Sequence, residues 1–401
     1  MKRIFENLTF VFFANIINAI SKFVFIIMIT KYLSNTELGQ YTLALAVTAP
    51  ITLLFNMKLR SYIISTDGIN FDKLKYIRNI SNILAVILIF IICMILYKNY
   101  LIVFLLVTII KILEMNSEFY QGFPNREKIF TTPAKIMILR VVIITLVFCS
   151  FIYYTENLIL ALFSQIIIQF FILIIERKVN LNLVDIEKYN NNQTIKLIIF
   201  TVFPLGIVQA LMSFSSSIPK YLLDIYGDVK LIGIFSAIVY LITIVNLFMS
   251  TLNQTLLPYI KSEYMKNQNK FKKTINVYCN TLFLIITLFL VILSFLIGEK
   301  LLQIVFNESF IKYNYLLIIC AITTYFNMSG WMYDSALLIS KKIKFQPLFL
   351  LVSLIITLIA GNLLISEYKI LGAGITLLLF NLINTFFKAL YFNIELKKGD
   401  E

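Results

Sequence analysis

A chain of 401 residues that is 60% hydrophobic and 14% charged, with mean hydropathy +0.87, cannot fold as a water-soluble domain, whose surface needs far more charge. A net charge of +14 would fit a nucleic-acid partner in a soluble protein. Here Lys and Arg gather in short segments between apolar runs, where they set membrane orientation, so no nucleic acid is expected. Histidine is absent, which removes the commonest general base and metal ligand. The four cysteines (Cys93, Cys149, Cys279, Cys320) lie far apart in or beside apolar runs and read as core thiols. Neither a metal nor a cofactor is expected.

The apolar runs are continuous over about 20 residues instead of alternating every second residue, so the predicted class is an all-α integral membrane protein, not a barrel. Twelve transmembrane helices are predicted, at about 8–30, 38–57, 79–97, 100–121, 133–154, 157–175, 195–217, 231–257, 275–297, 312–338, 345–366 and 370–392. The first run is too long for the apolar part of a signal peptide, carries Lys22, and is followed by no small-residue cleavage site; it is expected to stay as the first helix.

Basic residues concentrate on alternating connections. One side holds Lys2 and Arg3, the 58–78 segment with Lys58, Arg60, Lys73, Lys75 and Arg78, and the 126–135 segment. It also holds the 177–196 segment, the five lysines of 261–273, Lys341, Lys342, Lys344, and the terminal Lys397 and Lys398. The opposite side is sparse, so the positive-inside rule places both termini in the cytoplasm and favours an even number of spans. The 177–196 connection, with Asn190-Asn191-Asn192, is the longest and divides six spans from six. The expected domains are therefore 1–188 and 189–401. A weak internal repeat agrees: Lys31-Tyr32-Leu33 then Leu38-Gly39-Gln40-Tyr41 in the first half, Lys220-Tyr221-Leu222 then Ile232-Gly233-Ile234-Phe235 in the second.

Four basic residues lie within spans: Lys22, Lys111, Arg140 and Lys388. A lysine at bilayer depth costs roughly 2.5–3.5 kcal/mol on insertion scales, so each needs a partner or a wet cavity. Asn15 and Asn18 share a helical face with Lys22. Polar lines at helical spacing recur: Thr108, Lys111, Glu114, Glu118 and Gln121; Gln209, Ser213, Ser216, Lys220 and Asp224; Asn246, Ser250 and Asn253; Thr323, Asn327 and Asp334; Asn381, Asn384, Thr385 and Lys388. Each line has a structural reading beside the functional one. Neutral side chains serve as glue between helices, Lys111 has Glu114 one turn away, and Lys388 and Asp334 lie close enough to an end to reach water. Lys220 and Asp224 read equally as outer-end charges. Lys22 and Arg140 lie deep and have no acid one turn away, which favours a wet, electropositive cavity. Lys22, Lys111 and Arg140, with Lys220 as a fourth candidate, form the predicted cationic site for a phosphate or pyrophosphate group. Asn15, Asn18, Gln209 and Asn327 are its polar lining, and Glu114, Glu118 and Asp334 are candidates for ion coupling.

There is no G-x-x-x-x-G-K-[ST], no H-E-x-x-H and no Cys/His cluster, and the outer connections are too short to hold a catalytic domain. The chain is not expected to be an enzyme.

Over its whole length the chain resembles the Wzx-type oligosaccharide flippases, polysaccharide transporters of the superfamily that also holds the multidrug and toxic-compound extruders. The residues that carry the resemblance are Asn15, Lys22 and Lys31-Tyr32-Leu33, Leu38-Gly39-Gln40-Tyr41, Pro50, Gly298 with Phe306-Asn307-Glu308-Ser309-Phe310, and Leu371-Gly372-Ala373-Gly374. Asn307 departs from the family's usual glycine. The resemblance implies a MATE-like fold of two six-helix bundles around a cavity with alternating access. It implies a multi-pass protein of the bacterial cytoplasmic membrane that turns polyprenyl-diphosphate-linked oligosaccharide outward for O-antigen or capsule assembly. Its partners would be that lipid-linked substrate, membrane lipid, H+ or Na+, and a polysaccharide polymerase. Export of cationic drugs is a second reading, disfavoured because deep bases outnumber deep acids; a membrane enzyme of glycan assembly is a third.

Overall fold

The computed structural model describes residues 2–66, 68–189, 191, 193–340 and 342–397, with side chains at 2–9, 244, 246–259, 343, 396 and 397 outside the description. Asn246, Ser250 and Asn253, and the basic Lys2, Arg3, Lys341, Lys397 and Lys398, fall outside it.

The elements are helical throughout the described residues: α1 Lys2–Tyr32, α2 Asn35–Asn56, α3 Leu59–Ser65, α4 Phe71–Leu96, α5 Leu101–Arg126, α6 Thr131–Thr155, α7 Leu158–Asn182, α8 Ile195–Tyr226, α9 Val229–Lys266, α10 Gln268–Lys273, α11 Asn280–Val305, α12 Asn314–Ile339 and α13 Gln346–Lys397. Among the described residues, 10 helices are long and apolar enough to cross a membrane. The last of these is broken at Lys369 (φ 49, ψ −119) and so supplies two passes, while α9 is a further helix of 38 residues. Each of the twelve expected spans thus has its helix, and the chain is a multi-pass membrane protein.

The helix ends are written in the sequence. Ser34 and Glu37 form a reciprocal capping box at the start of α2. Asn70, Asn157, Asp228 and Asn267 cap α4, α7, α9 and α10 through their side chains. Asn307 is extended (φ −159) and accepts from the Ser309 amide, so this position has no need of the glycine usual in the family. At the α13 break, Lys369 donates to Tyr226 O (2.7 Å) and Ser366 O (3.0 Å). A Cβ on Gly372 would collide with the Leu364 carbonyl there, which requires glycine.

The chain forms two compact units, Met1–Phe214 and Ser215–Glu401. The change of unit falls inside α8, not at 188/189, because Ile198 and Val202 at the start of α8 are buried in the core of the first unit with Leu59, Ile63, Leu74 and Phe123. The connection before α8 is tied down as well. Phe71 N–H donates to Tyr189 O, Asn191 N–H to Ile69 O, and the Tyr189 hydroxyl to Glu127. Burial and the neighbouring Glu127 both raise the Tyr189 phenol above its ordinary pKa.

The two units share a packing plan. In the first, α5 is central and packs on α2, α4 and α7, while α1 packs on α6 and α6 on α7. In the second, α12 takes that place, packing on α9, α11 and α13. These central helices are the fourth span of each half, and the span order of their neighbours is the same, so the short repeats in the sequence reflect a repeated architecture.

Candidate functional site

The charged residues of the first unit gather on α1, α3, α4, α5, α6 and α7. Lys22, on α1, is half-buried and has no hydrogen bond or ion pair among the described residues. The charges that act on it most strongly are Glu114, Lys111, Glu118 and Arg140, in that order. Three of the four predicted cationic residues are therefore neighbours. Lys111 is not free: its Nζ lies 2.9 Å from Glu114 Oε2, one turn along α5. The structural reading of that pair is the one realised.

Arg140 corrects the sequence expectation. Its acid comes from the next helix: Nη1 lies 3.1 Å from Glu176 Oε2 on α7 and also meets Ser117 Oγ on α5, which in turn donates to Glu176. Gln121 donates to Ser117 Oγ at 3.2 Å. The Glu176 side chain is fully buried and that of Arg140 is 9% exposed. The apolar run predicts that this span ends at 175, before Glu176, whereas α7 runs on to Asn182. A signal was available: Gln165 and Gln169 begin a helical line that continues through Glu176 to Asn180, and all four are buried.

Two arginines assigned to the 58–78 connection also belong inside the unit. Arg78 is 1% exposed on α4, where it donates to Asn56 Oδ1 (3.0 Å) and Phe55 O (3.1 Å). Asn56 then donates to Glu118 at 3.1 Å. Arg60, on α3, lies within reach of the charges of Glu118 and Arg140. It lines a small cleft with Asn15, Gln121, Asn125 and Phe130. Asn15 thus borders the charged region, and Asn18 lies half-buried one turn nearer Lys22.

The second unit is different. Lys388 is 5% exposed and sits 2.9 Å from Asp334 Oδ2, so it is held by an acid on α12 instead of reaching for water. Around the π-helical turn at Thr274–Cys279 runs a neutral network. Asn276 donates to Asn393, Tyr333 to Asn276, Asn280 to Tyr333, and Ser329 to Asn280. Lys220 is half-buried on α8 with no hydrogen bond or ion pair among the described residues. Asn327 is half-buried on α12, and Gln209, in the first-unit part of α8, has a buried Oε1 with no hydrogen-bond partner among the described residues. The four cysteines are free thiols, and no group of metal-binding side chains occurs among the described residues.

A repeated six-span plan of this kind defines a MATE-like transporter fold. The structure matches an inward-facing multidrug resistance MATE family transporter of the MOP superfamily with a TM-score of 0.72, covering 95% of both chains at 12% identity. It matches the lipid II flippase MurJ in an inward closed conformation equally well, at TM-score 0.72 and 14% identity over 96% of this chain and 87% of that one. At such identities the likeness is one of fold. In sequence, residues 4–264 match the polysaccharide biosynthesis protein family. The capsular polysaccharide biosynthesis protein CapF of Staphylococcus aureus is 30% identical over 381 residues, 93% of this chain and 95% of that protein. The chain belongs to the polysaccharide biosynthesis protein family.

Proposed function

We propose that the protein carries polyprenyl-diphosphate-linked oligosaccharide repeat units from the inner to the outer leaflet of the bacterial cytoplasmic membrane by alternating access, for capsule or O-antigen assembly. Both termini would be cytoplasmic, as the distribution of Lys and Arg favours. The role is transport and not catalysis, and a polysaccharide polymerase would take up the delivered units.

The observation that carries this reading is Lys22. Near it Lys111 is held by Glu114 and Arg140 by Glu176, and elsewhere in the unit Arg78 by Asn56, yet Lys22 has no hydrogen bond or ion pair among the described residues. An unpaired ammonium inside a membrane helix is costly to keep. A diphosphate supplies the missing counter-charge, with Lys22 as the primary contact and Arg60, Lys111 and Arg140 as further sources of positive potential; Lys220, in the second unit, is a separate candidate contact. Asn15, Asn18, Gln209 and Asn327 are the neutral donors offered to sugar hydroxyls. Glu114, Glu118 and Asp334 are the carboxylates open to coupling with H+ or Na+. Export of cationic compounds would call for excess negative charge at this place, and the bases there exceed the acids.

Lipid extraction from a strain lacking the gene tests the reading. Polyprenyl-linked repeat units should accumulate on the cytoplasmic leaflet while surface polymer disappears, and the gene should restore both. Unchanged surface polymer together with new sensitivity to cationic dyes would replace flipping by drug export.

A further inference from the structure

The second unit has an apolar cleft beside the counterparts of α2 and α4. In the first unit α2 packs directly on α4. Their counterparts in the second unit, α9 and α11, meet through a small cluster in which Ile242 and Val239 of α9 pack with Leu290 and Val291 of α11 around Cys320 and Ala321. Between them, floored by α12, lies a cleft of about 740 Å³, open mouth included, lined by Leu241, Ile242, Leu293, Ile297, Leu317 and Ala321 among others. Among the described residues its one hydroxyl, on Ser294, is spent on Leu290 O at 2.8 Å, and the Ser294 carbonyl accepts from Asn314. The described part of the wall offers water no partners and favours hydrocarbon.

The cleft communicates with the bilayer. Ile297 lines it and is 44% exposed, on the same helix as Phe295 and Leu296 at 74% and 71%. Along α11 it runs from Leu290 to Leu301, about 16 Å at 1.5 Å per residue. That is close to half of a hydrocarbon core about 30 Å thick, the depth of one leaflet. The end at Leu301 lies beside the exposed Lys300, and across the Phe306–Tyr313 turn is the exposed Lys312; Glu299 and Glu308 are exposed there too. A rim of both signs next to a leaflet-deep apolar slot complements a phospholipid, with phosphate toward the lysines and any headgroup amine toward the glutamates. A polyprenyl chain, several times longer than one leaflet is deep, would overrun the slot.

We propose that this cleft binds one acyl chain of a phospholipid from the leaflet on the Phe306–Tyr313 side.

The test is native mass spectrometry of the full-length protein released from nanodiscs of a phosphatidylglycerol and phosphatidylethanolamine mixture doped with polyprenyl phosphate. One phospholipid should survive per chain, and Ala321→Phe, which fills the slot, should lower its retention about tenfold. Ile292→Phe, on the lipid-exposed side of α11, should leave retention unchanged and shows that added bulk alone is tolerated. Should Ala321→Phe fail to fold, brominated-chain phospholipid supplies the second readout. In a Trp331→Phe background the chain has no other tryptophan, and Ile297→Trp should be quenched more strongly than Phe295→Trp. Absence of a retained lipid, equal retention in Ala321→Phe, equal quenching at the two sites, or polyprenyl phosphate in place of phospholipid would each overturn the proposal. Failure of the flipping reading would leave it untouched, since neither readout involves transport.

Discussion

The two units pack their helices in the same order and fill them differently. The first encloses Lys22, Arg60, Arg78, Lys111, Glu114, Arg140 and Glu176. Among the described residues the second encloses Lys220, the Lys388–Asp334 pair, Glu263 with its exposed partner Lys270, a chain of Asn, Tyr and Ser hydrogen bonds, and a largely apolar slot. Since the architecture is common to both, these contents are not demanded by it. Apolar periodicity decides which helices meet; the polar residues between them are free to specialise. In the two proposals above, the first unit receives an anion and the second hydrocarbon. The contrast is sharpest where charge is most costly to bury.

The largest expected effect comes from splitting the Arg140–Glu176 pair. Glu176→Leu leaves the buried Arg140 guanidinium without its ion-pair partner and should cost about 3–5 kcal/mol, seen as a large fall in thermal midpoint in detergent. The double variant Arg140→Met/Glu176→Leu should recover most of that loss, because two well-packed apolar side chains need no pairing. A double variant no more stable than Glu176→Leu would contradict the pairing. For the same reason Arg140→Ala is a poor probe of substrate binding: it strands Glu176, so lost surface glycan would report damage to the fold.

Lys22 makes the clean probe, and its effect has the opposite sign. Lys22→Met removes an ammonium that lacks a partner among the described residues, so the variant should be at least as stable as the native chain. The gain is bounded by the roughly 2.5–3.5 kcal/mol that a lysine costs at bilayer depth. Surface polymer should nonetheless be lost. Lower stability with normal polymer would reassign Lys22 to a structural role. In the second unit Lys388→Met should cost less than the Arg140–Glu176 break, about 1–3 kcal/mol, because the Asp334 side chain is 22% exposed and regains some hydration. A loss as large as that of Glu176→Leu would remove the asymmetry between the units.

Much of this was legible in the sequence, and the rest was hidden for definable reasons. Twelve spans follow from continuous apolar runs, and the helix starts from Ser34, Asn70, Asn157 and Asp228. Pairs within one helix were equally readable, as Lys111 and Glu114 show. Pairs between helices were not, since nothing in a single sequence brings position 140 to 176 or 334 to 388. Charge near a span end also misled. The apolar runs stop beside Glu176, Arg78 and Arg60, yet helix and burial both continue past that point. The unit boundary moved for a related reason: the Asn-rich connection is conspicuous in composition, but Ile198 and Val202 beyond it are what commit α8 to the first core.

The smallest expected effect lies at the edge of the second unit, where Lys342 Nζ sits 2.7 Å from Glu395 Oε2 with nearly half its side chain exposed. The hydrogen bond to Glu395 and its negative charge hold the Lys342 ammonium above the ordinary lysine pKa. A folded-state pKa raised in this way contributes stability that is complete below the unfolded-state value and is lost as pH rises through the folded-state value. Between pH 6 and 8 the pair should therefore add no pH dependence, and its contribution should fade only in the alkaline range above the usual lysine pKa. Exposure and salt both weaken it. Lys342→Met should shift the thermal midpoint slightly at low ionic strength, and the shift should vanish at 1 M salt, where the Debye length is about 3 Å. A shift that persists in high salt would mean that Lys342 acts through packing of its alkyl stem, and would make this rim more than a solvated pair.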